Sequence, residues 1–587
     1  MDPASKLVPR ESQPRLNSWK EIASYFQRDI RTVQHWERKE GLPVHRHEHL
    51  IRASVYAYPA ELEAWFNERA RKSSAEAAVT PATEDITAES VDTTQMFSSR
   101  RIWVLLLSLT LVVAAGVAWF AWRSAHPPGG SPGKTLVVLP FLNLTGDSGQ
   151  EYMSDGLSDE LTTLLASRLP LQVVARSSAF EFKGKTDDVR TIGGRLNASM
   201  ALEGSLETRG DQLRINAQLV RTSDGYHLWS HLYDTDRGNT SATEDLIVRD
   251  IANVLKLPVA ENSSPPVSGS DQQAHELYLQ GAYWWNRRSP SDEWKAIGYF
   301  TAAIDRDPLY ARAYLGMAEA YTVLGVNNQA PPQDVFPKAR EAAENALRID
   351  PRLEEAHAVH AHIQFAYDWN YAAADSEFRR TIAANPNFAP AHHWYGLLLM
   401  YEGKFDEAAQ EIRRAQQLDP LSPLFPALLS RLDLYSGKYE AAIQLCRDAS
   451  RGNPYFPLPH YALGQIYLYQ NKYSEAIDEF QKYYELSDHD PDGLTNLAMG
   501  YARMGNRAKA MELVKQIEDP KTGYSSPYNC ALVYAALGEN DQVYTWLDRA
   551  INERSPALIQ LAVDPAFRSI QAEPRFQEML RRTGHTT

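Results

Sequence analysis

Seven alanines most constrain what this chain can fold into. Ala296, Ala339, Ala374, Ala408, Ala442, Ala476 and Ala510 follow one another at steps of 43, 35, 34, 34, 34 and 34 residues. The first five are each followed twelve residues later by a proline, at positions 308, 351, 386, 420 and 454. A fixed period of this size means a stack of one supersecondary unit, in which each copy buries its apolar face only against its neighbours. Within a unit, a small residue lets two helices approach, a large one fills the space behind, and proline stops the second helix. The spacing predicts an all-α solenoid of seven to eight repeats over 274–556, its eighth copy degenerate at Tyr528 to Pro556, with 557–587 as a C-terminal cap.

The pattern resembles the tetratricopeptide (TPR) repeat, as in Ala374, Phe378 and Pro386, in Gly396 of HHWYGLLL, and in Gly464 and Tyr467 of HYALGQIYLY. The resemblance implies helix pairs whose first helices line a concave groove for a peptide or protein partner. By repeat register the candidates to line it are Tyr278, Trp285, Arg312, Glu319, His393, Tyr461 and Gln465; any one of these aromatics equally suits packing between neighbouring repeats. Cys446 takes the large core position of its repeat, as a small hydrophobe. With Cys530 the only other cysteine, disulfides do not hold this fold together.

The chain has 60 Lys or Arg against 74 Asp or Glu, a formal charge of −14, and ordinary globular composition, which excludes a disordered or collagen-like polymer. The charge is divided: residues 1–72 carry +3 and the rest −17. Near the division, Ile102 to Trp122 runs 21 residues without a charge between Arg101 and Arg123, with Trp103, Trp119 and Trp122 near its ends. As a helix it would span ~31 Å, the thickness of a bilayer core, with its tryptophans at the interfaces. The expectation is one transmembrane helix over 102–122. Arg100 and Arg101 behind it, against the sparser Arg123 and Lys134 ahead, set the N-terminus in the cytoplasm of an inner membrane and the C-terminal region in the periplasm or outside the cell. Residues 71–101, small, polar and acidic, read as a flexible linker.

Ahead of the linker, Trp19, Ile22, Ala23 and Phe26 recur at helical spacing, and after a polar turn a second helix would turn Ile30, Val33 and Trp36 inward. Its other face offers Arg31, Thr32, Gln34, His35 and Arg38, side-chain types that pair with guanine and adenine edges in the major groove. The following GLPVHRHEHL fits a β-hairpin wing with His45, Arg46 and His47 toward phosphate; alternation of His45, His47 and His49 beside Arg46 suits that role better than a metal site. The segment 17–70 resembles excisionase-like and MerR-like winged helix-turn-helix domains in Trp19, Ile22, Ala23 and Tyr25; in Arg31 to Gln34 with Trp36 and Glu37; in Gly41 to Val44 with Arg46; and in Tyr58, Glu61, Leu62, Ala64 and Trp65. The resemblance implies DNA as a partner; a homodimer is the simplest arrangement through which a ligand or partner would act on the DNA-reading segments. Domains of this shape also serve as protein docking modules, and +3 is a modest charge for a DNA reader.

Between the apolar run and the repeats, residues 134–257 alternate strand and helix signals: KTLVVLPFLNL, a helix at Asp155 to Leu169, a strand at Leu171 to Arg176, a helix at Asp188 to Leu196, an alternating strand around Leu213 to Val220, a turn at Asp224 and Gly225, the strand HLWSHLYD, and a helix from Thr243 to Lys256. This mixed α/β domain resembles the domain related to TolB-N and FlgO that precedes repeats in bacterial membrane proteins, in Val137 to Phe141, Asn143 to Asp147, Tyr152 to Leu161, Val174 to Phe180, Leu202 to Leu206 and His227 to Asp234.

No catalytic, cofactor or metal motif emerges. Gly146 to Gly149 spells GDSG in a turn, Gly133-Lys134-Thr135 and Gly184-Lys185-Thr186 lack the leading glycine of a phosphate loop, and there is no H-E-x-x-H or C-x-x-C. The sequence therefore predicts a multidomain, non-enzymatic chain: a membrane-anchored one-component transcriptional regulator with a sensor or docking region outside. The alternative is a membrane-anchored TPR scaffold for envelope assembly that does not bind DNA.

Overall fold

The computed structural model describes residues 16, 22, 25–26, 33, 42–46, 55–59, 61–62 and 65 of the N-terminal part, and residues 135–585 apart from 211, 237–239, 260–270, 488 and 520–523. The chain forms two compact units, Met1–Trp122 and Arg123–Thr587. The expected linker 71–101 and the expected membrane helix 102–122 lie outside the described residues. Among the described residues no helix is long and apolar enough to cross a membrane.

In the first unit, β1 (His45–Arg46) and β2 (Val55–Tyr56) pair antiparallel, His45 opposite Tyr56 and Arg46 opposite Val55. Leu16 and Ala57 exchange backbone hydrogen bonds of 2.9 Å each. Ile22, Val33, Leu42, Ala57 and Leu62 are buried together, with Leu16, Phe26, Val44 and Trp65 packed around them. Helical and strand positions far apart in sequence thus share one small core, as a domain of this length requires if it is to bury enough apolar surface.

In the second unit, a sheet has the order β5-β3-β6-β7-β8, with β4 also pairing β6. Its strands are β3 (Thr135–Val138), β4 (Leu142–Asn143), β5 (Gln172–Val173), β6 (Met200–Arg209), β7 (Gln212–Arg221) and β8 (Tyr226–Asp236). β3 runs parallel to both β5 and β6, and β6, β7 and β8 are antiparallel neighbours. β3 reads TLVV because both of its faces are covered. Leu136 and Val138 pack beneath α1 (Glu151–Arg168) and α4 (Thr240–Leu255), while Val137 packs against α2 (Arg176–Phe180) and α3 (Val189–Leu196). In β7 the alternating Leu213, Ile215, Ala217 and Leu219 are fully buried.

Local signals account for where sequence and structure differ here. α1 begins at Glu151, four residues before the expected start, because Asp147 caps a short 3-10 turn that leads straight into it. The strand expected over 171–176 is cut to Gln172–Val173, and α2 opens at Arg176. β6 carries Glu203, Gly204 and Ser205 at its centre, so its period does not read as a strand.

Among the described residues, eight antiparallel helix pairs follow, from Gln272 to Asn552. The first four are α5 (Gln272–Trp285) with α6 (Pro290–Arg306), α7 (Ala311–Val326) with α8 (Pro332–Ile349), α9 (Glu354–Ala366) with α10 (Tyr371–Ala384), and α11 (Ala389–Tyr401) with α12 (Phe405–Leu418). The last four are α13 (Leu424–Tyr435) with α14 (Tyr439–Gly452), α15 (Leu458–Tyr469) with α16 (Tyr473–Leu486), α17 (Pro491–Arg503) with α18 (Arg507–Ile517), and α19 (Pro527–Leu537) with α20 (Asn540–Asn552). All seven repeat alanines lie on second helices and are fully buried. Each repeat proline falls two residues after its helix ends, as at Ala384 and Pro386. Gly464 faces the ring of Phe480 so closely that a Cβ would overlap it, which is the small-against-large contact that sets the approach of α15 to α16.

The C-terminal segment does more than cap the stack. α21 (Pro574–Arg582) does sit on the last repeat, where Arg582 Nη1 donates to Asp548 at 2.6 Å. The chain before it, however, turns inward through 3-10 turns at Pro556–Gln560 and Pro565–Phe567. Arg554 Nη1 donates to the Tyr367 carbonyl at 2.9 Å with its guanidinium over the Trp369 ring, and Gln333 Nε2 donates to the Asn552 carbonyl at 2.8 Å. The last repeat and the turns after it thereby meet the second and third repeats.

Candidate functional site: the inner face of the repeat array

The first helices of the repeats form the inner face, and two of the chain's own segments occupy much of it. At the start of the array, α1 of the α/β domain packs on α5, where Gly156 lies against the side chain of Leu279 and Asn286 Nδ2 reaches Asp159 at 3.4 Å. Tyr278 stands edge-on to Tyr310, ring centroids 5.2 Å apart. Burial works against the charge of Arg312, but Glu355, Tyr278 and Glu160 around it outweigh burial and raise its pKa. Burial pushes Glu319 up to about 7, with Arg288 opposing.

Farther along, residues 556–567 form the opposite wall of a narrow cavity lined by Arg431, Tyr435, Tyr461, Gln465 and Tyr469 on one side and Gln560, Asp564 and Pro565 on the other. Tyr528 donates its hydroxyl to Asp564 at 2.9 Å. Burial raises the Asp564 carboxyl, and the Ala566 amide and the Tyr528 hydroxyl pull against that rise. Arg431 Nη1 donates to the Tyr401 hydroxyl at 3.0 Å, with its guanidinium 5.4 Å from the centre of the Tyr461 ring. Aromatic rings, a cation and a carboxylate, all supplied by the chain itself, meet in this cavity.

The α/β domain is tied to the array a second time, at the loop after α12. Asp419 is buried and accepts from the Ser177 hydroxyl at 2.5 Å and from the Ser178 hydroxyl. Ser178 Oγ in turn accepts from the Leu421 amide at 2.8 Å, and the Ala175 amide donates to the Leu418 carbonyl at 2.8 Å.

Of the residues singled out in the sequence, Tyr461 and Gln465 line one cavity, and Gln465 donates to Asn496 Oδ1 at 2.8 Å. Tyr278, Arg312 and Glu319 gather at the other end of the inner face, half-buried. His393 lies between, edge-on to Phe425, and burial lowers its pKa to about 4. Trp285 does not line the face: it is buried in the core with Ala296, Ile297 and Phe300. In the first unit, His45 Nε2 lies 2.6 Å from Glu61, which ties the β1–β2 hairpin to the helical residues around Leu62. The backbone of Arg46 is in β1, whereas Arg31, Thr32, Gln34, His35, Arg38 and His47 lie outside the described residues.

Sequence reasoning missed Asp419, Arg431 and Asp564, whose partners come from other repeats or another domain. It also missed a recurring pair. Six residues after Pro351 and Pro386 stand His357 and His392; each ring faces a glutamate of the paired helix with one nitrogen, Glu377 at 2.9 Å and Glu411 at 2.6 Å, and with the other the carbonyl of that proline. His460, six after Pro454, lies 2.6 Å from Glu479. The spacing itself was the available signal, because a histidine at a fixed distance from the stop proline faces the same way in each copy.

These features define a tetratricopeptide-repeat array, a fold that serves as a scaffold for protein interaction. Residues 369–423 and 428–491 match the tetratricopeptide repeat family. Over 298 residues the chain is 28% identical to "Putative adenylate cyclase 3" of Rhizobium meliloti, covering 49% of this chain and 43% of that protein. Over 306 residues it is 23% identical to the transcriptional regulator HilA of Salmonella typhimurium, covering 50% of this chain and 52% of that one. The chain spans about half the length of the curated relatives it matches. Among solved structures, PilF of Pseudomonas aeruginosa matches at 22% identity and a TM-score of 0.27, covering 34% of this chain and 90% of that one.

Proposed function

We propose that this chain is a membrane-anchored one-component transcriptional regulator: a winged helix-turn-helix over 17–70 reads DNA in the cytoplasm, the uncharged run 102–122 crosses an inner membrane once, and the TPR array outside it docks a protein. The observation that carries the DNA reading is the shared core of Ile22, Val33, Leu42, Ala57 and Leu62 beside the β1–β2 hairpin, which is the packing a winged helix-turn-helix needs to present its second helix. The 23% identity to a transcriptional regulator, over half of each chain, supports a role in transcription regulation. The α/β domain is the TolB-N/FlgO-like module in this reading. It carries the signal from the array to the anchor, because it is the part held to the first repeat and to the loop after α12.

A partner at the array acts only by favouring one arrangement of the DNA-reading segments over another, most simply a homodimer over the monomer. Selection of duplexes from a random library by the full-length protein tests the proposal. The expected result is an enriched sequence whose binding weakens as salt rises; Arg31→Ala relaxes the base preference, and Arg46→Ala weakens all sequences about equally. A library that returns unselected would refute the DNA reading.

A further inference from the structure

Three buried side chains from three helices converge where the α/β domain meets the first repeat. α1 supplies Glu160, α4 supplies Glu244, and α5 supplies His275. One ligand atom from each lies within 4.8 Å of the others. Glu160, Glu244 and His275 are only 5%, 1% and 5% exposed. Both Glu160 oxygens and Glu244 Oε2 have no hydrogen-bond partner. His275 Nε2 is 3.7 Å from Glu160 Oε2 and 3.3 Å from the Thr240 hydroxyl, which borders the same space.

Two carboxylates side by side without donors are costly to bury; the Arg312 guanidinium offsets part of that cost from a distance, without a hydrogen bond to the orphaned oxygens, and a shared proton or a bound cation removes the rest. The histidine decides between them. Its Nδ1 meets the Tyr310 hydroxyl at 2.8 Å. If Nδ1 carries the proton and donates it there, the Nε2 lone pair faces the carboxylates, with the Thr240 hydroxyl at 3.3 Å the one protein donor within its reach, and a cation seated among the three groups would meet all of them. This is the arrangement of a metal-binding imidazole, one nitrogen fixed by an outer partner and the other free to coordinate. Two carboxylates and a neutral imidazole around a divalent ion sum to no net charge, and the nearby Arg312 guanidinium is matched by Glu355, which suits a buried site.

We propose that Glu160, Glu244 and His275 bind a divalent transition-metal ion of the zinc class, with the Thr240 hydroxyl or a water as fourth ligand, and that the ion pins the α/β domain to the first repeat. An imidazole in the donor set favours Zn2+ over Mg2+, Ca2+ and Mn2+, which prefer oxygen ligands. The ligands span positions 160 to 275 and follow no spaced motif, so only the folded chain assembles them.

The test uses the full-length protein, purified in detergent without chelator and assayed for bound metal. It is then stripped with EDTA and titrated with Zn2+, Mn2+ or Mg2+ while thermal unfolding is followed. The expected result is one equivalent of Zn2+ bound and a rise in Tm with Zn2+ that Glu244→Gln and His275→Gln both abolish, with Mg2+ without effect. Zinc that persists in both variants and disappears from His45→Ala/His47→Ala/His49→Ala would place the ion in the N-terminal segment and overturn the proposal. So would a metal-free wild-type protein whose Tm no ion changes, or a Glu244→Gln protein that is more stable than wild type with its zinc response intact, which is the behaviour of a shared-proton pair.

Discussion

Replacing Asp419 with alanine removes the acceptor for the Ser177 and Ser178 hydroxyls at the junction between the α/β domain and the array. Hydrogen bonds to a charged group contribute roughly 1.5–3 kcal/mol each, so two such bonds set an upper value of about 6 kcal/mol. Burial opposes this: it raises the Asp419 carboxyl despite both hydroxyls, so desolvation offsets part of the gain. The net loss expected for Asp419→Ala is about 2–4 kcal/mol, confined to the junction because the Gln172–Gln417 and Asn387–Leu171 contacts on either side remain. Asp419→Asn keeps one acceptor oxygen, and its amide can donate to Ser177 Oγ, so it should lose about 1 kcal/mol. The reporter is hydrogen exchange at the Ala175 amide, which is bonded to the Leu418 carbonyl across the junction. Local opening at that cost should speed its exchange about thirtyfold or more in Asp419→Ala and only several-fold in Asp419→Asn. Equal acceleration in the two variants would refute the hydrogen-bond account and leave side-chain packing as the cause. No acceleration in either would mean that Asp419 does not hold the junction.

Three further outcomes come from the packing and charges of the array. Gly464→Ala forces a methyl into the Phe480 ring and should destabilise the array by about 1–3 kcal/mol, read as a lower Tm; at the exposed, left-handed Gly437, where a methyl meets open space, Ala acts through backbone strain alone. Glu377 is opposed by burial, but its bonds to His357 and His360 pull it down to about 2, and His357 is raised by the same pair against burial. The glutamate's share of stability is present above its unfolded value near 4.5 and is lost as pH falls toward 2; the histidine's is present below 6.5 and is lost as pH rises through its higher folded value. Glu377→Gln should therefore lower Tm most between about pH 4.5 and 6.5, and the difference should shrink at pH 9. Burial pushes the Cys446 thiol up to about 11 and the Cys530 thiol up to about 12, so neither should react with a thiol reagent at pH 8 until the chain is unfolded, and a native protein that labels promptly would contradict their placement.

How much could be read from the chain alone depends on the range of the interactions. The repeat alanines and prolines were legible because each serves its own helix pair, within about 34 residues. The strand β7 was legible because one of its faces is buried and alternates, whereas β6, between β3 and β7, breaks its alternation at Glu203, Gly204 and Ser205. Register places Tyr461 and Gln465 beside one cavity, but nothing local in Asp564 says that it faces Tyr528 and Arg431, and Trp285 occupies a groove position in register yet turns into the core. The same holds for Glu160, Glu244 and His275, which only the docking of two domains brings together.

If a DNA reader and a TPR array belong to one regulator, the full-length protein must sit on defined genomic sites in its own cells. Genome-wide crosslinking of the protein to DNA tests this most directly. A limited set of enriched sites is expected, sharing one sequence and lost with Arg31→Ala at wild-type protein levels. A profile without enriched sites, from cells in which the protein is present and bound to protein partners, would contradict the regulator reading and leave a TPR scaffold in its place.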